Sequence, residues 1–491
     1  MHRFAASAGS PAAMTVAGLD LPALAYLVLA WTIRIAMLIV IPFRRSPDAA
    51  RNWLLVGFFL PVPALLLYFI IGRPTYPRWR QRRAADARQL LGTAKHEISH
   101  SRHCTQPKLP DALAPAALLI EHLGQFPALG GNKINLIVDY EAVIAAIVAD
   151  IDNASHQVHI LTYIFANDRT GGRIIDALGR AVGRGVTCRV LIDALGSRHW
   201  AKQVMRRLKA NGVEVQQALP LSFLRLKSAR ADLRNHRKIT VIDGHVGYIG
   251  SQNLIDAGLG PGMVNHELVV RACGAVVLEL QAIFAADWFM ESGESLNARD
   301  LYPHRPAEGE VVAQVLPSGP DYPLAGAGRL VTALIAGARH RVVITTPYFI
   351  PDEPLLQVMQ TAVLRDVEVV LLVSAVSDHL FVSLAQQSYY EQLLNAGVEI
   401  CRFRDGLLHA KHLSIDDDIS FVGSSNMDVR SFLLNAEVSI VLFDRAATNK
   451  LQAEQRRIMA ASDRLTLAQW KQRMAWKKVA ENLARLFSPL L

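Results

Sequence analysis

The stretch Asn235-His236-Arg237-Lys238-Ile239-Thr240-Val241-Ile242-Asp243, followed after six residues by Gly250-Ser251-Gln252-Asn253, has a second form later in the chain. That form is His409-Ala410-Lys411-His412-Leu413-Ser414-Ile415-Asp416, followed after six residues by Gly423-Ser424-Ser425-Asn426. HxK, four residues, Asp, six residues and GS-x-N therefore occur twice. A tail repeats as well: Asn265-His266-Glu267 after the first copy and Asn435-Ala436-Glu437 after the second. Two copies with the same internal offsets exclude coincidence. The apolar, β-branched run between Lys238 and Asp243 predicts a buried strand with HxK at its start. Positions i and i+2 of a strand share a face, so His236 and Lys238 are expected to point the same way. Asp243-Gly244 predicts a two-residue hairpin turn, and the returning strand brings Asn253 back toward His236.

The surroundings repeat too. VHILTYIF (Val158–Phe165) is answered by VVITTPYF (Val342–Phe349), with Asp168 and Asp352 each three residues past the Phe. VTCRVLID (Val186–Asp193) is answered by VEVVLLVS (Val367–Ser374). The loop before the strand departs from symmetry, with Arg365-Asp366-Val367 where the first half has Arg184-Gly185-Val186. Strands alternate with helical patterns at Glu141–Ile151, Gly172–Val182 and Leu355–Leu364, which predicts a duplicated α/β unit with a mixed or parallel sheet. The joint is expected at Leu301 to about Pro323. The basic, amphipathic segment Trp470–Phe487 reads as a packed helix in preference to a lipid anchor.

Each half offers an imidazole, an ammonium and a polar amide. That set suits a phosphate: lysine supplies charge, Ser251, Asn253, Ser424 and Asn426 donate hydrogen bonds, and histidine does bond chemistry. Two facing half-sites suit phosphodiester exchange, with one histidine attacking phosphorus and the other moving the proton of the alcohol. One imidazole must be neutral and the other protonated, so activity is expected to fall on both sides of a pH optimum. Asp243 and Asp416, seven residues past their histidines and at a turn, suit local structure as well as they suit substrate contact. Glu267 and Glu437 are the candidates for fixing the imidazole tautomers. With lysines balancing charge and no DxD or HExxH pattern, no metal or other cofactor is expected.

The chain has 491 residues, too many for one ordinary core, and its 51% apolar content excludes a mostly disordered chain. Its net charge of +9 implies an anionic partner, either nucleic acid or an anionic membrane surface. Four scattered cysteines without CxxC exclude a disulfide scaffold and a thiolate zinc site. Apolar residues concentrate near the N-terminus. Leu21–Phe43 is apolar except for Thr32 and Arg34, and at roughly 34 Å as a helix it is long enough to cross a bilayer. Leu54–Ile71 is a second run of 18 uncharged residues. Arg34 lies in the middle of the first run, and Pro61 and Pro63 would kink the second, so a re-entrant hairpin is an alternative to two spans. If there are two spans, both ends share one side, where six arginines face three in the loop. That bias puts the bulk of the chain in the cytoplasm.

The duplicated HKD pattern resembles the phospholipase D superfamily, and within it the sequence is similar to the bacterial cardiolipin synthases. The segments carrying that similarity are Ala50–Pro74, LRNHRKITVIDG, HAKHLSIDD, GSSNMDVRSFLLNAE, PSGPDYP and the closing RLFSPLL. GSQNLID departs from the family's frequent GG-x-N form. The resemblance implies two tandem phospholipase D-like α/β/α halves with a mixed sheet each, an active site at their interface, and a preceding transmembrane helix pair. The expected divisions are a membrane region 1–75 (helices about 21–43 and 54–71), a juxtamembrane connector 76–131, and halves 132–308 and 309–491. It implies catalytic His236, Lys238, Asp243, His409, Lys411 and Asp416, with His236 the nucleophile and His409 the general acid/base by analogy. The implied reaction joins two phosphatidylglycerol molecules into cardiolipin and glycerol. The implied partners are phosphatidylglycerol and other anionic phospholipids in the inner cell membrane, and no nucleic acid. A phospholipase D using water, or a phosphatidyltransferase using another alcohol, is the alternative, and a nuclease stands behind both.

Overall fold

The computed structural model describes residues 21–45, 47–70, 72, 78–220, 233–260, 263–296, 301–302, 306–322, 326–377 and 379–486. Parts of the basic stretch after the second apolar run (73–77), Pro323 at the expected joint and the closing 487–491 lie outside them. The chain divides into two compact units, Met1–Pro77 and Arg78–Leu491.

In the first unit, α1 (Leu21–Val40) is followed by α2 (Pro47–Phe59) and α3 (Pro61–Ile70). The second apolar run does not form one helix. Pro61 and Pro63 have no N–H for the carbonyls of Gly57 and Phe59, and the helix is interrupted at Leu60. Of the described residues, only the helix Pro22–Val40 is long and apolar enough to cross a bilayer. Ile33, Met37, Ile41, Ala50, Ala64 and Tyr68 form the inner core of this unit. α1 and α2 approach closely at Gly57, where a Cβ would lie 2.8 Å from the Met37 methyl. The mid-helix arginine finds partners on the neighbouring helix and its own. Arg34 Nε donates to the Phe58 carbonyl at 3.0 Å, beside the interruption, and its guanidinium lies 5.1 Å from the Trp31 ring centroid.

In the second unit the repeat becomes topology. In the first half, strands Leu129–Ile137, Val269–Cys273, Val246–Gly250, Ile239–Ile242, Gln157–Thr162, Thr187–Asp193 and Glu214–Ala218 lie in that order. In the second half the order is Val311–Ser318, Glu437–Leu442, Ile419–Gly423, His412–Ile415, Arg341–Thr345, Glu368–Ser374 and Glu399–Phe403, with Ser462–Leu465 added at the edge. The last three strands of the first set are parallel and the others antiparallel, so each half is mixed. Leu129–Ile137 pairs antiparallel with Val311–Ser318 and joins the halves into one fifteen-stranded sheet.

Strands buried on both faces read as continuous apolar runs, and every residue of Gln157–Thr162 and Ile239–Ile242 is buried. One core runs through both halves and includes helices Val277–Ser292 and Arg445–Ala460, while separate cores fill the opposite face of each half. Asp168 and Asp352 cap helices Arg169–Gly183 and Glu353–Leu364, each accepting the N–H three residues on. The asymmetric loop is also resolved: Gly185 (φ +88°) and Asp366 (φ +62°) both take the left-handed conformation, which aspartate tolerates better than most residues. The stretch 76–131 carries helices Arg78–Ser99 and Ala116–Gly124, and both pack within the second unit.

Candidate active site

Lys238 and Lys411 immediately precede strands Ile239–Ile242 and His412–Ile415, so each HxK leaves the sheet edge at the same place in its half. What fixes the two histidines comes from the opposite half. His236 N–H donates to the Ala436 carbonyl and Ala436 N–H to the Arg234 carbonyl, both at 2.8 Å. Leu407–Leu408 pairs in parallel with Asn265–His266, and the N–H groups of His409 and Ala410 both reach the His266 carbonyl at 2.8 Å. Each Asn-x-Glu tail is thus laddered to the motif of the other half.

The carboxylates follow this backbone pairing. His236 Nδ1 lies 3.0 Å from both oxygens of Glu437, and His409 Nδ1 lies 2.7 Å from Glu267 Oε1. A carboxylate only accepts, so Nδ1 carries the proton and Nε2 keeps its lone pair. Both glutamates are buried, whereas each imidazole keeps 13% of its side-chain surface exposed. Burial pushes the His236 imidazole down to about 4, against the opposing pull of Glu437. Burial also lowers His409. Burial raises the two glutamates, but their histidines and the neighbouring lysines outweigh it, so both carboxyls stay below the usual range. Burial pushes Lys238 down to about 7, with Lys411 adding repulsion. Lys411 acts on His236 and Lys238 acts on His409, so the two half-sites form one electrostatic unit.

The remaining expected site residues divide. Asn253 accepts the Ile164 N–H at 3.2 Å, which leaves its amide NH2 to donate. Asn426 is buried, and its Oδ1 has no hydrogen-bond partner among the described residues. Ser424 donates to Glu437 and accepts the Val438 N–H, while Ser251 exchanges hydrogen bonds with the backbone of Leu268. Their hydroxyls brace the segments that carry the carboxylates.

The two aspartates hold local structure, one of the two roles their position at a turn suits. Asp243 accepts the backbone N–H groups of Ser155, His156 and Gln157 at 2.8 Å, and Asp416 those of Arg339, His340 and Arg341 at 2.8–3.0 Å. Each aspartate ties its hairpin to the start of the neighbouring strand. The hairpin itself has three residues, since Ile242 pairs with Val246, and Asp243 and Gly244 both have positive φ. Asp243→Ala or Asp416→Ala is therefore expected to cost about 1–3 kcal/mol of stability and to leave the turnover of the folded fraction within a few-fold. Thermal unfolding and active-site-normalised assays check this.

Other neighbours of the site did not announce themselves in sequence. The Tyr163 ring meets His236 at 4.9 Å between centroids, and the Lys238 ammonium lies 5.4 Å from the same ring. Arg237 is buried with Asp287 at 2.6 Å and donates to the carbonyls of Glu437 and Ser318, so it clamps the Glu437 segment to the first motif. Tyr163 stands just past the strand Gln157–Thr162, in the repeated segment, without a mark of its place beside the site. Asp287, within a helix of mostly buried residues, carried no signal.

A family model described as cardiolipin synthase, PLD-like domain, matches residues 147–288 and 331–459. Cardiolipin synthase A of Proteus mirabilis (strain HI4320) is 33% identical over 467 residues, covering 92% of this chain and 95% of the relative. Cardiolipin synthase A of Serratia proteamaculans (strain 568) is 31% identical over 460 residues, covering 91% and 94%. Among solved structures, phosphatidylserine synthase of Haemophilus influenzae Rd KW20 matches with a TM-score of 0.59 at 14% identity, covering 78% of this chain and 98% of that one, which is a likeness of fold.

Proposed function

This chain belongs to the cardiolipin synthase family of phospholipase D-like proteins, and from that premise we propose that it is a phosphatidyltransferase that joins two phosphatidylglycerol molecules into cardiolipin and releases glycerol. The observation that carries the reading is the pair of imidazoles, each held by a buried carboxylate with Nε2 left basic.

The active site then lies between the halves. His236 Nε2 attacks the phosphorus of the first phosphatidylglycerol. The bond from phosphorus to the glycerol headgroup breaks, and protonated His409 gives its proton to the departing oxygen. A hydroxyl of the second phosphatidylglycerol then loses its proton to His409 and attacks the phosphohistidine, and the P–N bond breaks. Lys238 and Lys411 balance the charge on the phosphoryl oxygens, and the Asn253 amide NH2 donates to them. The first unit holds the chain in the inner cell membrane, with α1 and the interrupted α2–α3 pair passing through it, and the arginine bias puts the second unit on the cytoplasmic side.

The test is to incubate detergent-solubilised protein with labelled phosphatidylglycerol beside a His409→Ala control and resolve the products. Cardiolipin with glycerol, absent from the control, is the expected result. Phosphatidic acid with glycerol would make water the acceptor.

The electrostatics predict a pH profile. kcat/KM reports the free protein, in which His236 is neutral down to about pH 4. The acid limb should lie below the ordinary imidazole range. His409 must carry a proton to act as the acid, and burial lowers it, so the alkaline limb should also begin below the ordinary imidazole range, with Lys238, pushed down to about 7, adding a further loss at higher pH. A bound phosphate anion stabilises both the imidazolium and the ammonium, so in kcat the alkaline limb should move to higher pH. Rate measurements from pH 4 to 10 under both regimes check the sign of that displacement.

A further inference from the structure

The C-terminal helix Ala475–Arg485 packs against helix Leu380–Gln387, and it does so by its small and polar side. The residues it buries are Glu481 and Ala484, and Glu481 is taken by Arg473. At 100° per residue, Trp476, Leu483, Val479 and Leu486 occupy one arc of about 80° on the other side. They are 63%, 55%, 59% and 70% exposed. Met474, just before the helix, and Leu380 and Phe381, at the start of the helix it packs on, are exposed too. This is an amphipathic helix turned inside out: its only acidic side chain faces inward and its apolar stripe faces outward.

The rim of the stripe is basic. Lys477 lies 5.8 Å from the Trp476 ring centroid, Lys478 reaches Glu391 at 3.4 Å, and Lys471 is exposed one turn before the helix. A tryptophan at the edge of an apolar stripe flanked by lysines matches the boundary between acyl chains and anionic headgroups. A symmetric contact with a second copy through the same face would bring one lysine rim against another.

We propose that Trp476, Val479, Leu483 and Leu486, with Leu380 and Phe381, form an interfacial anchor that seats the Arg78–Leu491 unit on an anionic phospholipid bilayer. The anchor concerns attachment and does not depend on the phosphatidyl-transfer reading.

The test uses the full chain reconstituted in bilayers of phosphatidylglycerol brominated on the acyl chains near the headgroup. The difference between the wild-type protein and Trp476→Phe isolates the emission of Trp476. At least twofold quenching of that emission by the brominated lipid, with protection from aqueous acrylamide, is expected. The Val479→Asp/Leu483→Asp variant should reverse both, and brominated phosphatidylcholine should quench less. Quenching by acrylamide alone would place the face in water and overturn the proposal. Quenching by neither would mean that protein covers it, and overturns the proposal equally. Equal quenching by the two lipids would overturn the requirement for anionic headgroups.

Discussion

His236→Ala is expected to lower turnover by at least about 10³-fold, roughly 4 kcal/mol of transition-state stabilisation, and His409→Ala by a similar factor. The double variant should be little worse than either single one, because in the proposed mechanism the two imidazoles act together on one phosphorus and turnover needs both. The variants differ in what they leave behind. With substrate labelled in the phosphatidyl group and the reaction stopped in alkaline detergent, His236→Ala should carry no covalent label, since it lacks the nitrogen that attacks phosphorus. His409→Ala retains that nitrogen but cannot deprotonate the incoming hydroxyl, so any label it acquires should persist. The opposite pattern would exchange the two roles, and near-normal turnover in either single variant would end the two-histidine mechanism.

The parts of this molecule legible in sequence are those whose signal is local and doubled. Ile239–Ile242 and Gln157–Thr162 read as buried strands because apolar side chains must cover both faces of a central strand. The second set of strands at matching positions made the duplicated α/β reading secure before any pairing was known. The three-residue hairpin after Ile242 escaped because Asp243-Gly244 suits a shorter turn equally well; the difference lies in which partner Val246 meets across the sheet. The break in the second apolar run was legible, because Pro61 and Pro63 remove two backbone donors, and the helix is interrupted at Leu60. The C-terminal segment packs as a helix, but periodicity alone cannot say which face turns inward. Arg473, outside the helix, decides that by drawing Glu481 in.

The site shows the same limit. Residue types and spacings nominate two histidines and two glutamates, and nothing in a symmetric repeat says which glutamate serves which histidine. The answer lies in backbone ladders between segments far apart in the chain, Ala436 with Arg234–His236 and His266 with His409–Ala410. Likewise, Asp243 and Asp416 belong to the motif by spacing, yet each spends its oxygens on three backbone N–H groups of the adjoining strand.

The crosswise pairing makes the second large prediction. Glu437→Gln removes the charge that holds His236 Nδ1–H and stabilises the imidazole as it becomes cationic, and a loss on the order of 10³-fold is expected. Glu267→Gln should cost about as much, but through the other histidine. If Glu437 serves His236, Glu437→Gln slows formation of the labelled adduct, as His236→Ala does. If Glu267 serves His409, Glu267→Gln slows both proton transfers, and the label that does form persists, as in His409→Ala. Pairing within each half would exchange these outcomes, so one time course per variant decides between the two arrangements. Crosswise pairing also means that neither half contains a complete histidine–carboxylate pair. The sheet joined at Leu129–Ile137 and Val311–Ser318, and the Arg237 clamp onto the Glu437 segment, are then conditions of catalysis. Loosening either should lower kcat in proportion to the fraction of molecules whose ladders have opened, without changing the pH at which the remaining sites titrate.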